Sequence, residues 1–180
     1  MIIRPYRRNV GNYVSPSRMP FGAHRDELVE RVLFEYPDYV CWFYSEGLGK
    51  QYPAVHARLS KCCEKFDALP YANARCSGMI DGSRCKKPII RYTLIPTSSV
   101  PQFWCAECQP EQTIGEEYFE SSSYFGGINH VWRAGGNRVD ATRNFMKLMA
   151  QAKGLPERPD DTQIIKFIHG SDAVLLDDDA

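Results

Sequence analysis

The sequence predicts an α+β fold in which a cysteine-rich β segment separates two regions with helical character. Three observations lead to this prediction. Residues 53–66 and 140–153 repeat apolar side chains at helical spacing. Residues 89–95 (IIRYTLI) have the composition of a strand, and a pair of cysteines lies on either side of them. The hydrophobic content of 43% in 180 residues is enough to form a core.

Four segments are predicted along the chain. Residues 1–18 are rich in Arg, Asn, Ser and Pro and predict a basic extended arm. Residues 19–72 predict a small helical module, and residues 73–110 contain the cysteine segment. Residues 111–180 combine one clear helix with irregular stretches and end in an acidic tail.

The helical module is predicted to contain three helices. Apolar residues recur every three or four positions over 27–35, 38–45 and 53–66. Pro37 separates the first helix from the second, and Pro53 stands near the first turn of the third, where proline is tolerated.

The C-terminal segment contains one strong helical pattern, over 140–153, which Gly154 is predicted to end. Residues 162–168 are rich in β-branched side chains and predict a strand. The glycine pairs 126–127 and 135–136 predict loops within an irregular stretch.

Four cysteines have the spacing of ligands for one metal ion. Cys105-Ala-Glu-Cys108 is a two-residue knuckle that directs two sulfurs at one ion. Cys76 and Cys85 lie at the two ends of a glycine-containing loop, and strands are predicted between the two pairs and at 102–105. This is the arrangement of a zinc ribbon, so the sequence predicts a structural Zn²⁺ held by four thiolates.

Two alternatives to this ligand set remain open. The four cysteines are reduced thiols of the core, or His56 or Cys63 replaces one of them as a ligand. The remaining thiols, Cys41, Cys62 and Cys63, are predicted to be buried. Seven cysteines with a metal-like subset favour a reducing cytoplasm over a disulfide framework.

The charge distribution predicts a nucleic-acid partner, either DNA or RNA. The net charge is zero, but residues 1–25 contain five Arg and no acid, and basic residues surround the cysteines. Basic side chains neutralise phosphates, and aromatic side chains stack on unpaired bases. The predicted contact residues are Arg4, Arg7, Arg8, Arg75, Arg84, Lys86, Lys87, Arg91 and Trp104.

Two other functions are weighed against this one. The chain is alternatively a protein-interaction subunit of a larger nucleoprotein complex, such as an RNA-guided effector, because an arm and an acidic tail suit docking on proteins. An enzyme, such as a nuclease-associated one, is disfavoured because the four histidines form no spaced pair and no phosphate-binding loop motif is present. No apolar run approaches 18 residues, so no membrane partner is predicted.

The stretch Met19-Pro-Phe-Gly22, followed by Tyr36-Pro-Asp-Tyr-Val-Cys-Trp-Phe43, resembles a small bacterial and phage module. That module occurs in the quorum-sensing-regulated virulence factor family and is similar to the C-terminal appendage of exodeoxyribonuclease X. The resemblance implies a small α/β or helical unit associated with nucleic-acid enzymes. Ala23 and Asp26 depart from the lysine and glycine of the family pattern, and the resemblance covers only a short part of the chain.

Two further features accompany this resemblance. Tyr39 and Trp42 lie one helical turn apart and predict either an aromatic core contact or a platform for a base. Residues 75–108 resemble the ribbon modules of DNA- and RNA-handling proteins, which implies a comparable role at the level of fold alone.

Overall fold

The computed structural model describes residues 12–14, 17–94, 99–108, 119–134 and 138–175. These ranges form six α-helices and seven short strands, which confirms the α+β class. The helices are α1 (Val29–Glu35), α2 (Pro37–Ser45), α3 (Pro53–Ala68), α4 (Tyr124–Ala134), α5 (Val139–Lys153) and α6 (Asp161–His169). The strands are β1 (Asn12–Val14), β2 (Met79–Ile80), β3 (Ser83–Arg84), β4 (Arg91–Leu94), β5 (Gln102–Trp104), β6 (Phe119–Ser121) and β7 (Ala173–Leu175).

The strands form three separate small sheets. Strand β4 lies at the centre of an antiparallel sheet, with β5 on one side and β6 on the other. Strands β2 and β3 form a hairpin, and β1 pairs in parallel with β7. In the ranges that the structure describes, no helix has the length and apolar character needed to cross a membrane.

Helices from both sides of the cysteine segment share one hydrophobic core. Helix α1 contacts α2, α3, α5 and α6, and α4 packs against α2, α3 and α5. Leu33, Phe66, Phe145 and Ile164 are fully buried at the centre of this core. The helices of the predicted segments 19–72 and 111–180 are therefore packed together.

The three predicted N-terminal helices are confirmed as α1, α2 and α3. Pro37 and Pro53 each occupy the first turn of their helix. Backbone N–H groups make no intrahelical hydrogen bond there, so a proline, which lacks the N–H, breaks none. The predicted helix over 140–153 is confirmed as α5, and Gly154 ends it in the left-handed conformation, with φ of 108°.

The predicted strand at 162–168 is wrong, because these residues form helix α6. A capping box starts the helix: the Asp160 carboxylate accepts the Gln163 N–H at 2.7 Å, and the Gln163 side-chain oxygen accepts the Asp160 N–H at 2.9 Å. Ile164, Ile165 and Ile168 are all buried. Helical capping and tertiary packing therefore override the strand propensity of the isoleucines.

The loop predicted at the first glycine pair is also wrong, because Gly126 and Gly127 lie inside helix α4. A Cβ atom at Gly127 would overlap Tyr92 Oη and lie 2.7 Å from the Phe145 ring. Glycine at this position therefore allows α4 to approach β4 and α5 closely. The second glycine pair, at 135–136, lies outside the described residues.

Strand β4 connects the cysteine segment to the helical core. Tyr92 and Leu94 enter the core, and Tyr92 Oη donates a hydrogen bond to the Ser123 carbonyl at 2.7 Å. Thr93 lies between these two residues and therefore points to the opposite face of the strand. Its Oγ1 accepts a hydrogen bond from the Trp104 indole N–H at 2.8 Å. Trp104 in turn packs with the four predicted metal ligands.

Candidate metal centre

The structure brings Cys76, Cys85, Cys105 and Cys108 together in one buried group. Their four sulfur atoms all lie within 4.8 Å of one another, and Cys85 Sγ is 3.8 Å from Cys105 Sγ. A tetrahedral Zn²⁺ site with Zn–S bonds of about 2.3 Å has S···S edges of about 3.8 Å. All seven cysteines of the chain lie among the described residues, and each is a free thiol. The cluster therefore has the size and the donor set of a four-thiolate metal site.

A β-hairpin explains how Cys76 and Cys85 meet across an eight-residue gap. Strands β2 and β3 pair between them, and Asp81 and Gly82 form the turn with φ of 49° and 76°. Asp-Gly is a preferred pair for such a two-residue turn with positive φ. The hairpin continues to its base, where the Cys85 N–H donates to the Gly78 carbonyl at 2.9 Å. The hairpin thus places two sulfurs side by side, as the short knuckle does.

Backbone N–H groups donate hydrogen bonds to three of the four sulfurs, those of Cys76, Cys85 and Cys105. Each of four N–H···S contacts measures 3.4 Å: Gly78 and Cys105 donate to Cys76, Lys87 donates to Cys85, and Cys108 donates to Cys105. The Cys108 N–H lowers the pKa of Cys105 to about 6. Burial raises the pKa of Cys108 to about 12. A metal ion that binds all four sulfurs would therefore displace protons. The affinity for the metal would decrease as the pH is lowered.

Gly78→Ala is expected to weaken metal binding by at least about tenfold, as changes next to a ligand shell do. The new Cβ would lie 2.5 Å from Cys108 Sγ and 2.6 Å from Cys108 Cβ, so the ligand would have to move. Competition with a chromogenic chelator measures the change in affinity. Ser77→Ala is the control, because Ser77 is the exposed neighbour of Gly78. An unchanged affinity of Gly78→Ala would contradict this tightly packed cluster.

The two alternative ligands do not belong to the cluster. Cys63 is buried in the helical core together with Cys41 and Cys62, which confirms that these three thiols are buried. Burial raises the pKa of Cys63 well above its ordinary value. The His56 ring packs edge-on against Tyr44, with ring centroids 5.3 Å apart.

Three of the predicted contact residues are exposed around the cluster. Arg75, Arg84 and Lys86 form no ion pair with any residue in the ranges that the structure describes. Within those ranges, no acidic side chain offsets their positive charges. Arg4, Arg7 and Arg8 lie outside the described residues.

The other two basic residues are already paired. Lys87 Nζ forms an ion pair with Glu107. Arg91 binds Glu120 at 3.1 Å, and its second terminal nitrogen donates to the Cys108 carbonyl at 3.0 Å. Arg91 thereby ties the second knuckle to β4 and β6.

Trp104 is placed inside the protein. Its side chain packs beside the four cysteines, only 5% of the residue is exposed, and its indole N–H is bonded to Thr93. A ring in this position shields the sulfurs from water and offers no exposed face to a base. Gln102 is exposed although it shares a strand face with Trp104, so the alternation alone could not have indicated that Trp104 is buried.

The Tyr39–Trp42 pair makes the predicted aromatic contact, and its role as a platform for a base stays a prediction. The ring centroids are 5.0 Å apart, and Tyr39 is half-buried against Phe21. Trp42 is 37% exposed. The pair therefore extends the hydrophobic core to the surface. Both residues are distant in sequence from the cysteine cluster.

A second group of potential ligands consists of Glu30, Cys62 and His169, whose ligand atoms also lie within 4.8 Å of one another. Arg58 Nε lies 2.7 Å from Glu30 Oε1, and Lys65 Nζ lies 2.9 Å from His169 Nδ1. Two cationic side chains at this distance oppose the binding of a metal cation. The group is therefore a buried ion-pair network that joins α1, α3 and α6.

Comparisons with protein-family models, with curated proteins and with solved structures find no match for this chain. The resemblances carried by the sequence motifs therefore stay predictions.

Proposed function

We propose that this chain is a non-catalytic zinc-ribbon protein that binds nucleic acid as an accessory subunit in DNA or RNA handling. One observation supports this proposal above all. A buried cluster of four cysteines is surrounded by exposed Arg75, Arg84 and Lys86, which have no acidic partner among the described residues.

The donor set favours a single zinc ion. Thiolate ligands select soft and borderline metals, and four of them in a tetrahedron are typical of structural zinc. Sulfurs within 4.8 Å of one another surround one ion and are too close together to enclose an iron–sulfur cluster. Four protein ligands leave no open coordination position, so the metal would hold the fold and take no part in a reaction.

The electrostatics favour a polyanion at this surface. Basic side chains that are already paired must break an ion pair before they bind a phosphate, whereas unpaired ones do not. Lys87 and Arg91 are paired, with Glu107 and Glu120. Arg75, Arg84 and Lys86 have no ion pair with any residue that the structure describes. Glu107 and Glu120 reduce the local positive charge, which would limit binding to a small number of phosphates.

Replacing Arg75, Arg84 and Lys86 together by Ala is expected to lower both the affinity for nucleic acid and its salt dependence. Loss of three phosphate contacts should reduce the slope of log K against log salt by about 3 for duplex DNA and by about 2 for a single strand. Fluorescence anisotropy with labelled duplex and single-stranded oligonucleotides, at several salt concentrations, measures both quantities.

The control variant replaces Arg25, Lys61 and Arg158, which are exposed and lie elsewhere in sequence, so that the change in net charge is the same. Equal effects of the two triple variants would show that the binding surface is not at the cluster. No binding by the wild-type protein at any salt concentration would contradict the proposal. The chain would then be best described as a protein-interaction subunit.

A further inference from the structure

The hairpin of β2 and β3 exposes large apolar side chains. Met79 is 60% exposed and Ile80 is 39% exposed. The hairpin lies between the first two ligands of the candidate metal site, Cys76 and Cys85. Exposed apolar side chains among basic residues are the combination that proteins use to open base steps.

The register gives the two faces of the hairpin different chemistry. Met79 lies directly opposite Arg84, and Ile80 lies directly opposite Ser83. Directly opposed residues share one face of an antiparallel pair. One face therefore combines the long, unbranched side chain of Met79 with the cation of Arg84, which has no ion pair among the described residues. The other face, with Ile80 and Ser83, has no charge.

The base of the hairpin is held in place. The Ser77 N–H donates to the Phe103 carbonyl at 2.7 Å, and the Cys85 N–H donates to the Gly78 carbonyl at 2.9 Å. A metal ion on Cys76 and Cys85 would cross-link the two arms at the same point. The hairpin is thus preorganised, which lowers the entropic cost of pressing a side chain into a partner.

We infer that Met79 is a wedge that enters a base step of duplex DNA from the minor groove, with Arg84 on a neighbouring phosphate. This inference rests on the proposed function and specifies the kind of nucleic acid. A methionine inserted in this way partly unstacks one step and kinks the duplex. Flexible pyrimidine–purine steps would be preferred, because they cost least to deform.

Two observations favour a duplex approached by this face. Proteins that hold single strands stack the bases on exposed aromatic rings. Of the aromatic residues of β4 and β5, Tyr92 and Trp104 are buried, and Phe103 is half-buried against Tyr71. Asp81 sits at the turn itself, where its carboxylate would be repelled by phosphates. The face with Met79 and Arg84, rather than the turn, is therefore the contact surface.

The test uses a duplex of about 30 base pairs with a donor and an acceptor dye at its ends, so that energy transfer reports bending and anisotropy reports affinity. Wild-type protein is expected to increase energy transfer on binding. Met79→Ala should lose most of this increase and weaken binding about tenfold, as the loss of one contact that supports a bend does. Met79→Leu, which keeps an apolar wedge, should retain the bend, and Ile80→Ala should behave like the wild type. Metal content measured for each variant identifies any that fails to fold.

The outcomes separate this inference from the proposed function. Binding that is abolished by the Arg75, Arg84 and Lys86 triple variant but never bends the duplex would overturn the wedge and leave the function standing. Tighter binding of single strands, or equal effects of Met79→Ala and Ile80→Ala, would also overturn the wedge. Absence of any binding would overturn both.

Discussion

Cys105→Ser is expected to release the metal and to unfold the cysteine segment. Structural Zn²⁺ contributes about 10 kcal/mol or more to the folding of small zinc modules, and the loss of one thiolate removes most of this. Cys105 is central to the cluster, because its sulfur lies 3.8 Å from that of Cys85 and accepts the Cys108 N–H. Thermal unfolding followed by circular dichroism, with and without a chelator, measures the loss of stability.

The helical core should also lose stability, since β4 belongs to both parts. Thr93 accepts a hydrogen bond from Trp104, which packs beside the cysteines. Tyr92, the residue before Thr93 in β4, is buried in the helical core. Hydrogen exchange should therefore increase first in β4 and β5 and only later in α3. Cys63→Ala is the control, because it removes a buried thiol of the core and leaves the four ligands intact. Equal stability of Cys105→Ser and the wild type would contradict a metal-dependent fold.

Arg58→Ala is expected to reduce the free energy of unfolding by about 3 kcal/mol, since it leaves a buried carboxylate without its cation. The Glu30 side chain is fully buried, and its Oε1 accepts from Arg58 Nε at 2.7 Å and from His169 Nε2 at 2.9 Å. Urea denaturation measures the change. Arg31→Ala is the matched control, because Arg31 is partly exposed and pairs with two partly exposed acids, Glu35 and Asp161. Its loss should cost less than about 1 kcal/mol. Similar losses for the two variants would contradict a buried network.

The pH dependence of stability provides a second readout of the same network. Burial raises the pKa of Glu30, but the hydrogen bond from His169 and the charge of Arg58 outweigh it, so the pKa lies below its ordinary value of 4.5. The stabilisation from this group is therefore fully present above pH 4.5 and is lost as the pH falls through the lower pKa of the folded state. Arg58→Ala should weaken this acid-dependent loss.

The cysteine cluster could be predicted from the sequence because ligand spacing reflects local geometry. The Cys105–Cys108 knuckle is defined by two intervening residues, whatever the rest of the fold does. The wider Cys76–Cys85 gap fits only because the Asp81-Gly82 turn folds the intervening residues into a hairpin. That turn is a recognisable sequence signal, and it would have predicted the hairpin and its exposed Met79.

Other features depend on tertiary contacts that the sequence does not display. Helix α4 could not be predicted from its glycine pair. Gly127 is needed because Tyr92 and Phe145 lie so close to the helix that a larger side chain would overlap them. Helix α6 had a local signal in Asp160 and Gln163, but its isoleucines favoured a strand. The ion pairs of Lys87 and Arg91 join residues that are 20 and 29 positions apart, so a count of basic residues could not distinguish them from Arg75, Arg84 and Lys86.

Native mass spectrometry of the protein purified without chelator tests the central claim, that four cysteines hold one metal ion. The account predicts one zinc per chain, and none when Cys76, Cys85, Cys105 or Cys108 is replaced by Ser. A wild-type protein without metal, or a zinc ion that survives the loss of Cys76 or Cys85, would contradict it.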